Sequence, residues 1–279
     1  MKVTGSLAEL RESLEAARGG GRAIHLVPTM GNLHAGHLEL VDRAREGSAL
    51  VVVSIFVNPA QFGPGEDFER YPRTPEADLA ALQARGCDLV WMPEVATMYP
   101  LGPDAGFRVR VPEGLAGCLC GASRPGHFDG VAGVVLRLFN QTGPDSAFFG
   151  EKDYQQLVII RRMAVDLSLC IEVVGVPTVR DARGLALSSR NHYLDSGELD
   201  IAPELHATLV EIARRWAAGE GTSDSLEESG LARLESLGFR PDYVSIRSGL
   251  DLGLPDGRAD RVFAAARLGS ARLIDNVAV

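Results

Sequence analysis

The chain has 279 residues, of which 46% are hydrophobic and 23% are charged. This length allows one large domain or two smaller ones, and the ordinary charged fraction argues against wholesale disorder. Lys and Arg together number 28 and Asp and Glu number 37, so the formal net charge is −9. Because nucleic-acid phosphates bind to cationic surfaces, this acidity disfavours a nucleic-acid partner, but it leaves room for local basic pockets that bind small anions.

No stretch of the sequence has the length and hydrophobicity of a membrane span. The longest apolar stretch, residues 49–57, includes a serine and has nine residues, whereas a bilayer-spanning helix needs roughly 18 or more. The first 20 residues have the pattern of a polar amphipathic helix, without the apolar core and cleavage site of a secretory signal. We therefore expect a cytoplasmic protein with no membrane partner.

The four cysteines, Cys87, Cys118, Cys120 and Cys170, are too few for a disulfide scaffold in a chain of this size. Cys118 and Cys120 form a C-x-C pair, but no second pair stands at the spacing of a zinc site. Reduced structural thiols are therefore the preferred interpretation, and no protein-bound metal is predicted.

Short apolar runs alternate with helical patterns over the first two-thirds of the chain. In chain order, the predicted elements are a strand at 23–28, a helix at 35–46, a strand at 50–57, a helix at 75–85, a strand at 88–92, a helix at 131–141, a strand at 147–149, a helix at 154–166 and a strand at 171–176. This alternation predicts a Rossmann-like α/β fold, a doubly wound parallel sheet with helices on both faces. Residues 19–21, three glycines before the first of these strands, are interpreted as a plain turn.

The pattern changes after Pro177. A polar loop is followed by predicted helices at 202–218 and 225–237 and by predicted strands at 243–247, 261–266 and 272–275. Helices followed by strands are typical of a small α+β domain. We therefore predict two domains, residues 1–177 and residues 178–279, the second acting as a lid.

The segment after the first predicted strand has the chemistry of a phosphate site. Neither of the two common glycine-rich phosphate motifs is found there. Instead, residues 28–37 read PTMGNLHAGH and deliver His34 and His37 to the first turn of a helix. The helix N-terminus favours an anion, and two imidazoles add hydrogen-bond donors. Gly36 between them permits close approach of a ligand. The alternative is a pair of surface histidines, which we consider the weaker interpretation.

Neutral polar side chains follow the next long strand. Asn58 and Gln61 stand where ligands bind in open α/β sheets, beyond the carboxyl ends of strands. They suit a polar organic substrate, but a turn built on Asn58-Pro59 would explain Asn58 equally well. Farther along, Thr74 has a sufficient structural role as the cap of the following helix.

Two later loops carry cationic or switchable groups. Residues 121–130 form a glycine-rich loop with Arg124 and His127, which could hold a carboxylate or phosphate or could simply be mobile. Residues 149–156 open a helix after a short strand, so that Lys152 can reach a phosphate and Gln156 stands close to one turn beyond it. Asp153 is either a ribose ligand or a helix-start acid.

A further polar loop follows the predicted domain boundary. Ser188 and Ser189 are followed directly by Arg190, a combination that can clamp an oxyanion. Such triplets are common in surface loops, so this pattern alone is weak.

Together these segments closely resemble the pantothenate synthetase (pantoate–β-alanine ligase) family. The matching blocks are VPTMGNLHAGH (27–37), VSIFVNPAQF (53–62), YPRT (71–74), GASRPGHFDGV (121–131), FFGEKDYQQL (148–157), LALSSRNHYL (185–194) and ARLIDN (271–276). They occur in order over the whole chain. The H-x-G-H element alone indicates only the broader nucleotidylyltransferase superfamily, and the N-P-A-Q-F and G-E-K-D-Y-Q-Q blocks narrow it to this family.

The resemblance implies a two-step reaction. ATP adenylates the carboxylate of (R)-pantoate and releases pyrophosphate, and the amine of β-alanine then displaces AMP to give pantothenate, a coenzyme A precursor. It implies His37 as proton donor, with His34 and Lys152 also stabilising the charge that develops on the phosphates. The ATP-binding residues implied or proposed on this basis are Met30, Gly31, Asn32, Leu33, His34, Ala35, Gly36, His37, Gly150, Glu151, Lys152, Asp153, Val179, Leu187, Ser188, Ser189 and Arg190.

The same resemblance assigns Gln61 and Gln156 to pantoate, and Gln61 also to β-alanine. Asn58, Arg124 and His127 are added as candidates for this substrate site from their chemistry alone. Residues 187–190 occupy the place of the Lys-Met-Ser-Lys-Ser loop of related synthetases, but they hold no lysine. Lysine roles therefore do not transfer from those enzymes.

The resemblance also implies Mg²⁺ with the ATP phosphates and a homodimer, although no residue pattern independently shows either. One alternative function is a nucleotidylyltransferase whose final product is an adenylate or dinucleotide. Another is a nucleotide-binding sensor without turnover, which the intact motifs disfavour. A tRNA synthetase is disfavoured by the net charge of −9 and by the lack of an anticodon-binding extension.

Overall fold

A computed structural model of the protein describes residues 1–63, 68–103 and 105–279. Its strands are β1 (Lys2–Thr4), β2 (Ile24–Thr29), β3 (Leu50–Ile55), β4 (Leu89–Trp91), β5 (Ser146–Gly150), β6 (Glu172–Val176), β7 (Arg240–Ser248), β8 (Asp260–Leu268) and β9 (Ala271–Ala278). Its α-helices are α1 (Leu7–Gly19), α2 (Ala35–Ala44), α3 (Pro75–Ala84), α4 (Val95–Met98), α5 (Glu113–Ala116), α6 (Leu119–Ser123), α7 (His127–Thr142), α8 (Tyr154–Asp166), α9 (Ser196–Ile201), α10 (Glu204–Ala217) and α11 (Ser223–Ser236).

The described chain divides into two compact units. The first comprises Met1–Val111, Gly126–Glu151 and Ile159–Pro177, apart from the undescribed positions. The second comprises Pro112–Pro125, Lys152–Val158 and Thr178–Val279. Two short segments from the earlier part of the chain therefore group with its C-terminal part. The assignment of residues 1–177 and 178–279 to separate domains stays a prediction.

The first unit is built on a six-stranded parallel sheet in the order β1-β4-β3-β2-β5-β6. The order reverses beside β2, which lies between β3 and β5. In such sheets ligands bind beyond the carboxyl ends of the strands at the point of reversal. The predicted doubly wound parallel sheet is confirmed, and its topology points to the ends of β2, β3 and β5.

The centre of this sheet is buried because its strands are apolar on both faces. Four consecutive residues of β3, from Val51 to Ser54, are fully buried, as the β-branched run predicts. On one face, Leu40, Val41 and Ala44 of α2 pack in a cluster that includes Val27 of β2 and alternate valines of β3. This packing fixes where α2 begins relative to the end of β2.

The N-terminal stretch differs from the predicted helix. Residues Lys2–Thr4 form the edge strand β1, which pairs with β4, and the helix begins only at Leu7. Lys2 and Val3 are exposed, so these three residues carry no alternating apolar pattern that would predict a strand. Ser6 ends the extended segment and caps α1 by accepting a hydrogen bond from the Glu9 amide.

Helix α7 begins four residues before its predicted start at Val131. Gly126 precedes it with φ +81°, a left-handed conformation that suits glycine, and the first turn contains polar His127 and Asp129. The apolar pattern used for prediction starts only after this turn. The short helices α4, α5, α6 and α9 were also not predicted.

The second unit contains an antiparallel three-stranded sheet in the order β7-β8-β9. Its core joins apolar side chains of α10, α11 and these strands, among them Leu209, Leu226 and Val262, which are fully buried. The predicted α+β character is confirmed. The strands are longer than predicted because polar residues alternate with apolar ones at their ends.

Among the described residues, no helix combines the length and apolar character that crossing a membrane would require.

Gly130 in α7 tests how closely the first unit is packed. A Cβ atom at this position would stand 2.1 Å from the Ala60 carbonyl oxygen and 2.7 Å from the Gln61 Cα. We expect Gly130→Ala to lower the free energy of unfolding by about 1–3 kcal/mol or more, because backbone atoms must move to accept the methyl group. Urea unfolding followed by circular dichroism measures this.

Gly133→Ala is the matched control in the same helix. The nearest atom to its added Cβ is Arg137 Nη1 at 3.4 Å, the end of a flexible side chain. Alanine has the better helix propensity by up to about 1 kcal/mol, so Gly133→Ala should leave the protein as stable or more stable. Equal destabilisation by both substitutions would show that the contact of Gly130 with residues 60 and 61 is not the cause.

Candidate active site

Three predicted site segments of the first unit lie at the same edge of its sheet. Residues 30–37 follow β2, Asn58 and Gln61 follow β3, and Gly150 ends β5. Since the strands are parallel and β2 pairs with both β3 and β5, their carboxyl ends stand side by side. The strand pairing therefore brings these three segments to one edge of the sheet.

The two histidines of the H-x-G-H element form a capping box at the start of α2. His34 is the N-cap residue, and its Nδ1 accepts a hydrogen bond from the Gly36 amide at 3.1 Å. His37 Nδ1 in turn accepts from the His34 amide at 3.3 Å. The centroids of the two rings are 4.1 Å apart, and the ring planes are tilted by 37°. Imidazole nitrogens thus replace the oxygens that usually cap a helix.

This arrangement determines which nitrogen of each neutral ring carries the hydrogen. A nitrogen that accepts a hydrogen bond from a backbone amide has no hydrogen of its own, so Nδ1 is the acceptor in both His34 and His37. The neutral tautomer then carries its hydrogen on Nε2. Both side chains therefore present Nε2–H donors at a helix N-terminus, where the backbone dipole also favours negative charge.

The turn between β2 and α2 is held by hydrogen bonds from its backbone amides to Asp78 of α3. Asp78 is 2% exposed. Its carboxylate accepts hydrogen bonds from the Asn32 amide at 2.9 Å and from the Leu33 amide at 2.8 Å. Gly31 has φ +79°, and a Cβ there would lie 3.0 Å from Asp78 Oδ2. The glycine therefore both allows the turn and makes room for the carboxylate.

Thr74 does not have the capping contact that was predicted for it. It stands at the N-cap position of α3, but its side chain makes no hydrogen bond to the helix backbone. Its hydroxyl instead donates to Asp78 Oδ1 at 3.1 Å. Thr74 therefore contributes to the support of the turn between β2 and α2 through Asp78.

Gln61 is the centre of a second group in the first unit. Its Nε2 donates to Met30 Sδ at 3.0 Å, and its Oε1 accepts from Asn58 Nδ2 at 3.1 Å. His127 Nδ1 donates to the backbone oxygen of Gln61 at 2.8 Å. The structure thus brings together Met30, Asn58, Gln61 and His127, which the sequence placed in three separate segments.

Asn58 is buried and its hydrogen bonds are all within the protein. Its Oδ1 accepts from the Tyr99 hydroxyl at 2.6 Å and from the Ala60 amide at 3.2 Å, and its Nδ2 also donates to the Gly130 carbonyl at 3.1 Å. Burial raises the pKa of Tyr99, outweighing the nearby Arg137 cation, which lowers it, so the hydroxyl remains a donor at neutral pH. An asparagine amide offers two donors and two acceptor positions, and these contacts fill them.

In the second unit, Lys152 lies in a short 3₁₀ helix, Glu151–Asp153, that leads into α8. Its ammonium group is 3.1 Å from Asp153 Oδ2, and its side chain is 17% exposed. Gln156 lies in the first turn of α8 and is half-buried. The adjacent Gln155 is buried and holds the loop before α6 by donating to the carbonyls of Leu115 and Cys118.

Residues 179–187 of the second unit form a small hairpin. The Leu187 amide donates to the Val179 carbonyl at 2.9 Å, and Arg180 pairs with Ala186. Beyond it, Ser188 caps a 3₁₀ helix, Ser189–Tyr193, by accepting from the Arg190 amide. The structure therefore brings Val179 next to Leu187 and holds residues 188–190 in an ordered turn.

The C-x-C pair has internal partners in the second unit. Cys120 is buried, with Sγ 3.1 Å from the Tyr243 hydroxyl and 3.4 Å from Arg272 Nη1. Burial raises the pKa of the Cys118 thiol. No group of three or more His, Cys, Asp or Glu side chains in ranges 1–63, 68–103 and 105–279 is placed to hold a metal ion.

Arg124, the candidate carboxylate ligand from the glycine-rich loop, directly follows α6 and is half-buried.

Comparison with known proteins identifies the family. A family model described as pantoate-β-alanine ligase matches residues 2–278. The chain belongs to this family. It is therefore an ATP-dependent carbon–nitrogen ligase that joins pantoate to β-alanine.

Individual members of the pantoate–β-alanine ligase family match over almost their entire length. A pantothenate synthetase from Chromohalobacter salexigens is 53% identical, with 100% of this chain and 99% of that protein covered. The crystal structure of pantothenate synthetase from Thermus thermophilus is 47% identical with a TM-score of 0.91, covering 99% of each chain. A Francisella tularensis ligase, 32% identical with a TM-score of 0.84 and covering 100% and 97%, is described as complexed with β-γ ATP and β-alanine.

Asp78 is the supporting residue that was not predicted from the sequence. The only sequence pattern near it, the YPRT block, drew attention to Thr74 instead. An aspartate in the first turn of a helix is ordinarily explained by the helix dipole. Its partners, Asn32 and Leu33, are more than 40 residues away along the chain, so no local pattern identifies them.

We expect Asp78→Asn to weaken ATP binding and to lower the free energy of unfolding by about 1–3 kcal/mol, because an amide accepts with one oxygen only and leaves one backbone N–H unsatisfied. Urea unfolding and the KM for ATP measure the two effects. Asp166→Asn, which alters only an exposed pair with Arg162, should change stability by less than about 1 kcal/mol. An unchanged KM for ATP in the Asp78 variant would contradict a supporting role.

Proposed function

We propose that the ligation proceeds through a pantoyl adenylate. A pantoate carboxylate oxygen attacks the α-phosphorus of ATP, the bond from that phosphorus to the bridging oxygen breaks, and pyrophosphate leaves. The β-alanine nitrogen then attacks the acyl carbon and loses a proton. The bond between the acyl carbon and the phosphate oxygen breaks, and AMP leaves with that oxygen and the electron pair of the bond. The observation that supports this route is the pair of Nε2–H donors that the histidine capping box presents at the start of α2.

The first step builds negative charge on phosphate oxygens, so it is accelerated by donors that are already in position. His34 and His37 are fixed by their Nδ1 contacts with the backbone, and they need no reorganisation when charge develops. We assign to His37 a hydrogen bond from its Nε2–H to the leaving pyrophosphate, with the proton kept on the ring, because loss of that proton from a neutral ring would leave an imidazolate. The backbone amides at the start of α2 and the residues from Met30 to Gly36 line the phosphate-binding turn.

We propose Lys152 as a further phosphate ligand. It is one of only two lysines in the chain, the other being Lys2. The ammonium group of Lys152 pairs with Asp153, and a phosphate would compete for the same ammonium group. Gly150 and Glu151 precede it in the predicted ATP-binding segment. Val179 is proposed to pack against the base, with residues 187–190 close to the nucleotide.

Gln61 and Gln156 are proposed as pantoate ligands, Gln61 also contacting β-alanine. Within the described residues of the first unit, the side-chain bonds of Gln61 use one of its two amide hydrogens and one of its two acceptor positions. Capacity therefore remains for a polar substrate. Neutral amides also leave the pantoate carboxylate unpaired and able to attack.

The other candidates for the substrate site receive different roles. Because the hydrogen-bonding capacity of Asn58 is filled within the protein, we propose that it acts by holding the Gln61 amide. His127 holds the backbone of the same residue. Arg124 stays a proposed ligand for a substrate carboxylate.

Mg²⁺ is proposed as a companion of the ATP phosphates. Since the described residues contain no cluster of three ligating side chains, this chain does not fit a preformed protein cage for the ion. Magnesium commonly keeps water and phosphate ligands, and we derive no step through it. A homodimer and a cytoplasmic location are proposed on the family resemblance alone.

The two-step route is tested by separating the substrates in time. The protein is incubated with ATP, Mg²⁺ and pantoate, and pyrophosphate release is measured before β-alanine is added. We expect release of pyrophosphate that depends on pantoate, followed by AMP and pantothenate only after the amine is present. Pyrophosphate that appears only when β-alanine is present would contradict a pre-formed adenylate.

Lys152→Ala should lower the rate of the first step by roughly 100–1,000-fold, since removal of one preorganised donor to a developing oxyanion typically costs that much. Lys2→Ala is the matched control, because the ammonium group of Lys2 is exposed and bonds to Ser13. Quenched-flow measurement of pyrophosphate release compares the two. A Lys152 variant as fast as the Lys2 variant would remove Lys152 from the reaction.

His34→Asn separates the capping role of His34 from its role as donor. Asparagine is a good N-cap residue, so we expect the free energy of unfolding to change by less than about 1 kcal/mol, whereas adenylation slows by roughly 100-fold or more. Thermal unfolding and single-turnover kinetics measure the two quantities. Unchanged adenylation kinetics in a stable variant would show that the Nε2–H of His34 does not contact the phosphates.

A further inference from the structure

The ARLIDN block near the C-terminus carries two buried polar residues that have no role in the mechanism above. Asp275 and Asn276 lie next to each other in β9, and each is 4% exposed. Burying a carboxylate and an amide is costly unless they find partners. Their partners in the second unit are segments that we propose to bind ATP.

Asn276 holds the backbone of Lys152. Its Nδ2 donates to the Lys152 carbonyl oxygen at 3.0 Å. Its Oδ1 accepts from the guanidinium of Arg261, which itself lies over the Tyr154 ring with Cζ 3.8 Å from the centroid. Because Arg261 can only donate, it fixes which end of the Asn276 amide faces Lys152. The amide is therefore oriented as a donor to that carbonyl.

Asp275 holds the hairpin at residues 179–187. Its two carboxylate oxygens accept from Arg180 Nη1 at 2.6 Å and Nη2 at 2.9 Å, a bidentate pair. Arg180 Nη1 also donates to the Gly184 carbonyl at 3.1 Å, so the guanidinium joins the two sides of the hairpin. The carboxylate of Asp275 also accepts a hydrogen bond from the backbone N–H of Asn276 at 2.8 Å, which couples the two neighbouring residues.

We propose that Asp275 and Asn276 are positioning residues for ATP, Asp275 holding the hairpin of Val179 and Leu187 through Arg180, and Asn276 holding Lys152 through its carbonyl. This inference rests on the proposed roles of Lys152 and residues 179–190. In this proposal Asp275 and Asn276 act through Arg180 and Lys152 and not by touching ATP themselves. Their effect is to place two sequence-distant ATP-binding segments at a fixed distance from one strand.

Small displacements of a phosphate ligand matter because charge stabilisation depends on distance and orientation. A misplacement of about 1 Å can cost about 100-fold in rate. The Lys152 ammonium is at the end of a flexible chain, so the position of its backbone determines the space that this group can reach. Asn276 fixes that backbone at the residue itself.

Asn276→Asp is the first test. The aspartate keeps the size of the side chain and its contact with Arg261, but it cannot donate to the Lys152 carbonyl. We expect pantoate-dependent pyrophosphate release to slow by roughly 10- to 100-fold. Attack of β-alanine on adenylate that has been allowed to form fully should stay within about twofold of the original protein, because the phosphates of pyrophosphate have already left. Quenched-flow measurements give both rates.

Asn140→Asp is the matched control. Asn140 is exposed in α7 of the first unit, and the substitution introduces the same change of charge and mass. It should leave both steps unchanged. In the Asn276 variant, equal slowing of both steps would indicate general disruption, and no slowing would show that the carbonyl contact is unimportant. Either result overturns the proposal for Asn276.

Asp275→Asn tests the second part of the proposal, the support of the hairpin by Asp275. It also keeps the proposal testable if the Asn276 variant does not fold. It replaces the charge that binds Arg180 with a neutral amide of the same size. We expect the KM for ATP to rise by roughly tenfold while the KM for β-alanine is unchanged, and parallel changes in both constants would contradict the proposal. Pyrophosphate release by the unaltered protein separates failure of this inference from failure of the proposed function. If the unaltered protein releases no pyrophosphate with ATP and pantoate, the adenylate route itself is refuted.

Discussion

The start of α2 is the constraint on which the proposed phosphate site of the first unit depends. A helix begins with backbone amides that have no partner inside the helix, and each must be satisfied by something else. Here Asp78 binds the amides of the turn before α2, and the imidazoles of His34 and His37 bind those at its first residues. The polar groups that would otherwise destabilise this turn therefore hold its shape. The same contacts place the hydrogen of each neutral ring on Nε2, the atom that we propose to face the phosphates of ATP.

The substrate-binding candidates follow the same principle of satisfied polar groups. Asn58 is buried beyond the end of β3. Hydrogen bonds within the protein occupy both donor and both acceptor positions of its side-chain amide, including one bond from the hydroxyl of Tyr99. Gln61, three residues later, is less enclosed and keeps capacity for a ligand. Of two neutral side chains with the same functional group, burial thus separates Asn58, for which we propose a structural role, from Gln61, for which we propose substrate binding. Their sequence spacing gave no means of telling them apart.

Much of this could be predicted from the sequence because the information is local. The β-branched run of β3 and the apolar spacing of α8 identify those elements, and the second of them has its predicted bounds. Edge strand β1 could not be found, because two of its three residues are exposed. The supporting role of Asp78 could not be predicted for a different reason. Its hydrogen-bond partners, Asn32 and Leu33, are distant in the sequence and become neighbours only in the folded chain. Local patterns predict elements, whereas supporting contacts arise from the packing between them.

The net charge of −9 illustrates why a total says little about one site. Asp78 and Asp275 both count toward that charge, yet each is almost completely buried and enclosed by donors. Their negative charge is balanced by backbone amides in one case and by Arg180 in the other. Each carboxylate stabilises a segment that is proposed to bind the phosphates or base of ATP. Under these proposals, a buried acidic residue supports anion binding, because the charge that opposes a phosphate at long range fixes the donors to that phosphate at short range.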